Sequence, residues 1–313
     1  MKILVVGGAG YIGGYLVDLL YIRGHDVTVY DSLIYELRFL KNLPFICGDI
    51  RDRKKLAKIL PTYDVVVWLA AIVGDGACAI DPFLSQAINE DSVRWLVNNY
   101  SGKIVFMSTS SVYGMNKEVI DEYAPTNPLS VYAETKLAAE QYIVSNYPNF
   151  LIFRLGTLYG MGDQHSRIRL DLIVNYFAKE AVLGKDLTIF GGEQWRPLLH
   201  VRDVAEAIEW GIKNTIVGLF NLGTDNYTIK QIALKIKEYV PSIKITYQEL
   251  LTEDNRNYRI DCMKWSDTGW TQQHTLDQGI QEIMCVIKEN RLKNVHDATY
   301  TNERHIKNNH VKL

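Results

Sequence analysis

Several features that would announce a specialised protein are missing from this chain. Its four cysteines, Cys47, Cys78, Cys262 and Cys285, fall without CxxC spacing. That pattern gives neither a thiol metal site nor a disulfide framework, and it reads as reduced thiols. No segment reaches the ~18 uninterrupted apolar residues of a spanning helix, so no membrane partner is expected. No long basic run occurs, and the formal net charge is −2. Nucleic acid and anionic membrane surfaces therefore find no electrostatic footprint. The first strand-like run starts at Lys2, so no signal peptide is expected and a cytoplasmic location is. What remains is ordinary: 313 residues, 47% hydrophobic and 22% charged. This suits one large α/β domain, or such a domain with a smaller lobe, and it is ample for a proper core.

The first 155 residues alternate between strand-like and helix-like runs. Lys2–Val6, Asp26–Tyr30, Pro44–Cys47, Asp64–Leu69, Lys103–Met107 and Phe150–Leu155 read as strands. Tyr11–Ile22, Asp52–Leu60, Pro82–Tyr100 and Val131–Asn146 read as helices. The alternation predicts an α/β, Rossmann-type doubly wound parallel sheet over residues 1–160. After Gly160 the rhythm changes. Shorter strands, among them Leu187–Phe190 and Leu219–Leu222, and helices such as Val201–Lys213 predict a smaller α/β substrate lobe over 161–290. Helix 201–213 is expected to pack back on the first domain. Residues 291–313 are polar and read as a mobile tail.

Three segments carry chemistry. Val6-Gly-Gly-Ala-Gly-Tyr-Ile-Gly13 follows a strand and opens a helix. Gly7 allows the tight turn, Gly10 lets backbone approach a pyrophosphate, and Gly13 permits close helix–strand packing. With Tyr11 and Ile12 they form a candidate dinucleotide loop at a helix N-terminus. Asp31 closes the second strand, followed by Ser32. A carboxylate there accepts bonds from ribose hydroxyls and repels a 2′-phosphate, which favours NAD over NADP. Asp49 and Ile50 are candidates to hold the adenine, although Asp49 or Asp52 serves equally as a helix N-cap. Ser108-Thr-Ser-Ser-Val-Tyr-Gly114 follows the fifth strand, where an α/β sheet binds ligands. We choose Thr109 as the hydroxyl that bonds a reacting sugar oxygen. Tyr132 and Lys136 stand four apart on one helical face. The lysine ammonium is expected to favour the phenolate and make Tyr132 a base.

Taken in order, Gly7–Gly13, Asp31, Leu69-Ala-Ala71, Ser108–Gly114, Tyr132–Lys136, Arg154–Gly160 and Arg196–Asp203 resemble an extended short-chain dehydrogenase/reductase. The resemblance, over residues 1 to about 290, is to the nucleotide-sugar epimerase/dehydratase family. It implies tightly bound NAD, contacted also by Leu69, Ala70 and Ala71, and a nucleoside-diphosphate-sugar substrate. It implies Thr109, Tyr132 and Lys136 as the catalytic set, with Lys136 on the nicotinamide ribose and Tyr159 beside the nicotinamide. It implies Arg196, and also Arg256, on the substrate diphosphate, whose oxygens suit a guanidinium fork. Ser110, Ser111, Thr157 and Arg169 complete the expected substrate contacts. A homodimer is implied through the helices at Pro82–Tyr100 and Val131–Asn146.

Departures from the family pattern bear on the reaction. Ser110 and Ser111 replace the acid that sugar 4,6-dehydratases and related decarboxylases carry there, which argues against dehydration. Thr157 replaces a usual Asn, and Met161 a usual Pro. The segments Ala70–Cys78 and Arg167–Asn175 are similar to capsule- and deoxysugar-pathway enzymes, GDP-heptose 4-dehydrogenases among them. That subgroup places Cys78 near the substrate mouth. His200 reads as a packed histidine and Asp203 as a helix cap. The preferred reading is an NAD-dependent 4-epimerase of nucleotide sugars, with a 4-dehydrogenase as the alternative. An NADP-dependent ketone reductase fits Asp31 and Arg196 less well. A dinucleotide sensor without catalysis has no need of the hydroxyl–Tyr–Lys set.

Overall fold

The computed structural model describes residues 1–249 and 257–309. Seven parallel strands form its main sheet: β1 (Lys2–Val6), β2 (Asp26–Asp31), β3 (Phe45–Cys47), β4 (Val65–Trp68), β5 (Lys103–Thr109), β6 (Phe150–Leu155) and β7 (Gly218–Leu222). Their order is β7-β6-β5-β4-β1-β2-β3. The central strands are unbroken apolar runs because helices cover both faces of the sheet. All four residues of β4 and all seven of β5 are buried. On one face Leu16, Val17 and Leu20 of helix Gly13–Ile22 meet Val204, Ile208 and Ile212 of helix Val201–Lys213. On the other face Val93 and Leu96 pack with Ala139 and Ile143. The strand order reverses between β1 and β4, which opens a crevice at the carboxyl ends of those strands.

Smaller sheets lie beyond this crevice. Trp195–His200 pairs in parallel with Thr157–Tyr159 and antiparallel with Asp225–Thr228. Met115–Ile120 pairs with Asn257–Ile260. The lobe has its own core, including Val174, Phe177, Ile232, Ile236, Ile280 and Ile283.

Four expectations change. The segment around Leu219–Leu222, assigned from sequence to the lobe, is the edge strand β7 of the main sheet. The single helix expected over Pro82–Tyr100 is split: Pro82–Gln86 and Ser92–Asn99 flank a π-helical turn at Ala87–Asp91. Asp203 does not cap its helix, since the His200 ring accepts the capping bond from Arg202 N–H. The buried Asp203 carboxylate instead meets His274 Nδ1 at 2.7 Å. The polar tail is docked as far as residue 309. Its helix Asn302–Asn309 packs against helix Asp75–Ile80, burying Ile306, its one apolar residue, together with the polar Asn302 and His305.

Candidate active site

One cavity of about 630 Å³ lies along the carboxyl ends of β1, β2, β4 and β5. Its floor is the glycine loop. Gly7 has φ +84°, and a Cβ there would stand 2.5 Å from Ala70 N. A Cβ on Gly13 would stand 2.6 Å from Gly8 Cα. Both positions admit only glycine, and the bare backbone forms a cradle against the loop Leu69-Ala70-Ala71. Helix Gly13–Ile22 has no side-chain N-cap, so its first amides are free of side-chain acceptors and suited to a pyrophosphate. Tyr11 and Ile12 line the same wall. The Tyr11 hydroxyl is itself committed, donating to Gly160 O at 2.5 Å.

Asp31 and Ser32 form the next wall. Asp31 accepts from Ala9 N at 3.0 Å and Leu33 N at 2.8 Å, which fixes its carboxylate in place at this wall. Burial pushes its pKa above the usual range, and the backbone bonds oppose this. Asp49 and Ile50 line the far end. The Asp49 carboxylate pairs with Arg51 at 2.6 Å, an ion pair that competes with the adenine contact expected of it.

The opposite end holds the proposed chemistry. Thr109, Ser110, Ser111, Tyr132 and Lys136 all line the cavity. Thr109 ends β5 and caps the short turn Ser110–Tyr113 by accepting from Ser111 N at 3.2 Å. Ser110 Oγ donates to Leu155 O at 2.8 Å, and Ser111 Oγ lies 3.3 Å from the Tyr258 hydroxyl. No carboxylate stands at either position. Tyr132 and Lys136 lie on helix Val131–Asn146, whose N-cap Ser130 also donates to Asp75 at 2.7 Å. Burial raises the Tyr132 pKa well above its ordinary value. The groups that draw it back down are Arg169 and the Thr109 hydroxyl. Lys136 supplies less charge than the sequence suggested. It is 4% exposed, its Nζ sits 3.9 Å from the Phe106 ring centre, and burial brings its pKa down to about 7.

Residues outside the motifs support this arrangement. Asn89, in the π-helical turn, accepts from Ile72 N and donates to Ile72 O, both at 2.9 Å, and reaches Thr135 at 3.3 Å. It ties the loop after β4 to the Tyr132 helix. Behind β5, Glu140 accepts from Ser108 at 2.5 Å and pairs with Arg154 at 2.5 Å. Arg154 in turn donates to Tyr113 at 2.8 Å. Neither Asn89 nor Glu140 had a sequence signal beyond its place on a helix.

Thr157, Arg169 and Arg196 line the cavity as expected. Arg169 is clamped by Asp171 at 3.0 and 3.1 Å, and Arg196 donates to Trp195 O at 2.9 Å. Tyr159 is not brought to the cavity. It is 1% exposed, packed in the lobe core and edge-on to His200 at 5.2 Å. Cys78 is likewise absent from the lining. Its buried thiol donates to Ile72 O at 3.3 Å, and burial pushes its pKa up to about 11. Arg256 lies outside the described residues. The sequence reading missed Tyr35 and the tail residues Thr301, Asn302 and Glu303, which also line the cavity. Among the described residues no cluster of His, Cys, Asp or Glu forms a metal site.

Residues 3–223 match the profile described as "Epimerase: NAD dependent epimerase/dehydratase family". A UDP-glucose 4-epimerase of Halalkalibacterium halodurans is 31% identical over 264 residues, covering 74% of this chain and 78% of that protein. The crystal structure of the Thermus thermophilus UDP-glucose 4-epimerase with NAD superposes with a TM-score of 0.79 at 26% identity. It covers 92% of this chain and 99% of that one. The UDP-glucuronic acid 4-epimerase of Bacillus cereus, bound to UDP-glucuronic acid and NAD, gives 0.80 at 26% identity, covering 93% and 100%.

Proposed function

Because the chain belongs to the NAD-dependent epimerase/dehydratase family, we propose that it inverts C4 of a nucleoside-diphosphate sugar through Tyr132, Thr109 and Lys136. The observation that carries this reading is the cavity itself. It joins the glycine cradle and Asp31 to Thr109, Tyr132 and Lys136, and it presents serines where an acid would serve dehydration. NAD, when bound, supplies the hydride acceptor and a positively charged ring. Gly7–Gly13 hold its pyrophosphate, Asp31 its adenosine ribose, and Lys136 its nicotinamide ribose. Tyr132 takes the proton of the C4 hydroxyl, and Thr109 bonds the same oxygen. Arg169 helps the buried phenol to ionise. Arg196 holds the substrate diphosphate, so that binding energy remote from C4 positions the sugar. The 4-keto sugar then turns and receives the hydride on its other face.

The family relatives named above act on UDP-sugars, which makes UDP-glucose and UDP-glucuronic acid the first substrates to try. Tyr132→Phe is expected to keep NAD bound and lose isomerisation by at least about a hundredfold, the usual scale of acid–base catalysis. Turnover by that variant near the wild-type rate refutes the assignment. A second reading is a 4-dehydrogenase that releases the keto sugar. The segments Ala70–Cys78 and Arg167–Asn175 favour it, since both resemble that subgroup and both contribute to the cavity. A keto product, trapped by borodeuteride, would distinguish it.

A further inference from the structure

Arg167 is not explained by the reaction above. It is 6% exposed and lines the cavity. Its guanidinium stacks on the Tyr35 ring at 3.7 Å. Nε donates to Thr299 O at 2.7 Å and Nη1 to Asn302 Oδ1 at 2.6 Å, both neutral acceptors on the C-terminal segment. Nη2 is buried and has no hydrogen-bond partner among the described residues, and neither has the Tyr35 hydroxyl beside it. The nearby carboxylate of Asp171 is spent on Arg169 and on Asn302 N at 2.8 Å. A buried cation with an orphaned donor is costly unless an anion completes it. Burial and the neighbouring Arg169 already depress its pKa to about 10.

Position says which anion. The loop carrying Arg167 rests on the first turn of helix Gly13–Ile22: a Cβ on Gly14 would meet the Ser166 side chain at 2.1 Å. Tyr35 stands four residues past Asp31. Arg167 therefore lies between the pyrophosphate cradle and the ribose-side loop. Its rotamer is set by the C-terminal segment, which is anchored independently. Asn302 Nδ2 donates to Val73 O at 2.7 Å, and His305 Nε2 lies 2.8 Å from Ile34 O.

We propose that Arg167 is a phosphate ligand of the bound dinucleotide, and that segment 298–309 is a clasp that holds this guanidinium over the cofactor and slows cofactor release. The segment spans the cavity mouth between the loop after β2 and the loop after β4. The inference rests on NAD binding and not on the identity of the catalytic base. Tyr132→Phe tests the base with NAD retained, so the two readings fail separately.

The test uses the full chain carrying Arg167→Met, Arg167→Lys or Asn302→Ala. NAD retained through purification is released by acid and quantified, its dissociation is followed by exchange with labelled NAD, and ADP and adenosine affinities are measured by calorimetry. Arg167→Met is expected to weaken ADP about tenfold to a hundredfold, the scale of charge-assisted bonds. Adenosine binding should be unchanged, and Arg167→Lys should fall between. Asn302→Ala should speed NAD exchange several-fold. Unchanged ADP affinity and NAD exchange overturn the proposal, as does an equal loss of ADP and adenosine, which marks a packing role. A raised KM for the sugar nucleotide with NAD retained also overturns it. Should the Met variant fail to fold, the ADP-to-adenosine ratio of the Lys variant decides by the same criteria.

Discussion

Tyr132 and Lys136 show how far residue-level reasoning reaches. Their spacing and helix were legible because an i, i+4 pair on a periodic segment needs no tertiary information. Their ionisation was not, because it depends on what covers them. In the folded chain burial outweighs proximity: the phenol is harder to ionise than a free tyrosine, and the lysine pKa falls to about 7. A pH dependence follows. The unfolded chain holds the lysine proton up to about pH 10.4, whereas the folded chain releases it near pH 7. Between these values the unfolded state binds more protons, so stability of the cofactor-free protein rises with pH from about 7 to about 10.4 and is level below about 7, where both states hold the proton. Lys136→Met should flatten this rise in thermal melts across that window. A rise of undiminished size in the variant would mean that another group titrates. Gly7→Ala makes a sharper prediction. At φ +84°, with Ala70 N 2.5 Å from the new Cβ, the cradle cannot keep its shape. The variant should be purified without NAD, and full NAD content would contradict the cradle geometry.

At the scale of elements, the strand–loop–helix order of the first 155 residues was readable because β1, β4 and β5 are buried runs with one meaning. Gly218–Leu222 was misplaced because a short edge strand carries the same local pattern in either sheet. The π-helical turn at Ala87–Asp91 was invisible for a different reason. It is imposed by the two bonds from Asn89 to the Ile72 backbone, a tertiary contact with no local propensity behind it. Tyr159 was placed in the site by resemblance, but it packs in the lobe core against His200, a tertiary contact with no local signal. The buried Arg154–Glu140 pair locks β6 to helix Val131–Asn146, with side chains 7% and 2% exposed. Glu140→Ala leaves an uncompensated buried guanidinium and should cost about 3–5 kcal/mol in denaturant titration. A loss under about 1 kcal/mol would show that the pair contributes little beyond packing.

Across the whole molecule, one cavity is lined by parts distant in sequence: a glycine loop at the start, the Tyr132 helix in the middle and a docked segment near residue 300. A polar segment with few apolar positions gives no sequence sign of docking, because its contacts are hydrogen bonds to loops rather than a hydrophobic stripe. The main sheet is what brings these parts together, and the reaction follows from what stands at its carboxyl edge. The most direct test mixes the purified protein with UDP-glucose, UDP-glucuronic acid and a panel of GDP-, dTDP- and CDP-sugars. Reduced-nicotinamide absorbance and the C4 configuration of the product, by proton NMR, are followed together. The account predicts a C4-inverted sugar with no lasting absorbance. A persistent rise with a keto sugar released, or no change in any sugar while NAD stays bound, would contradict it.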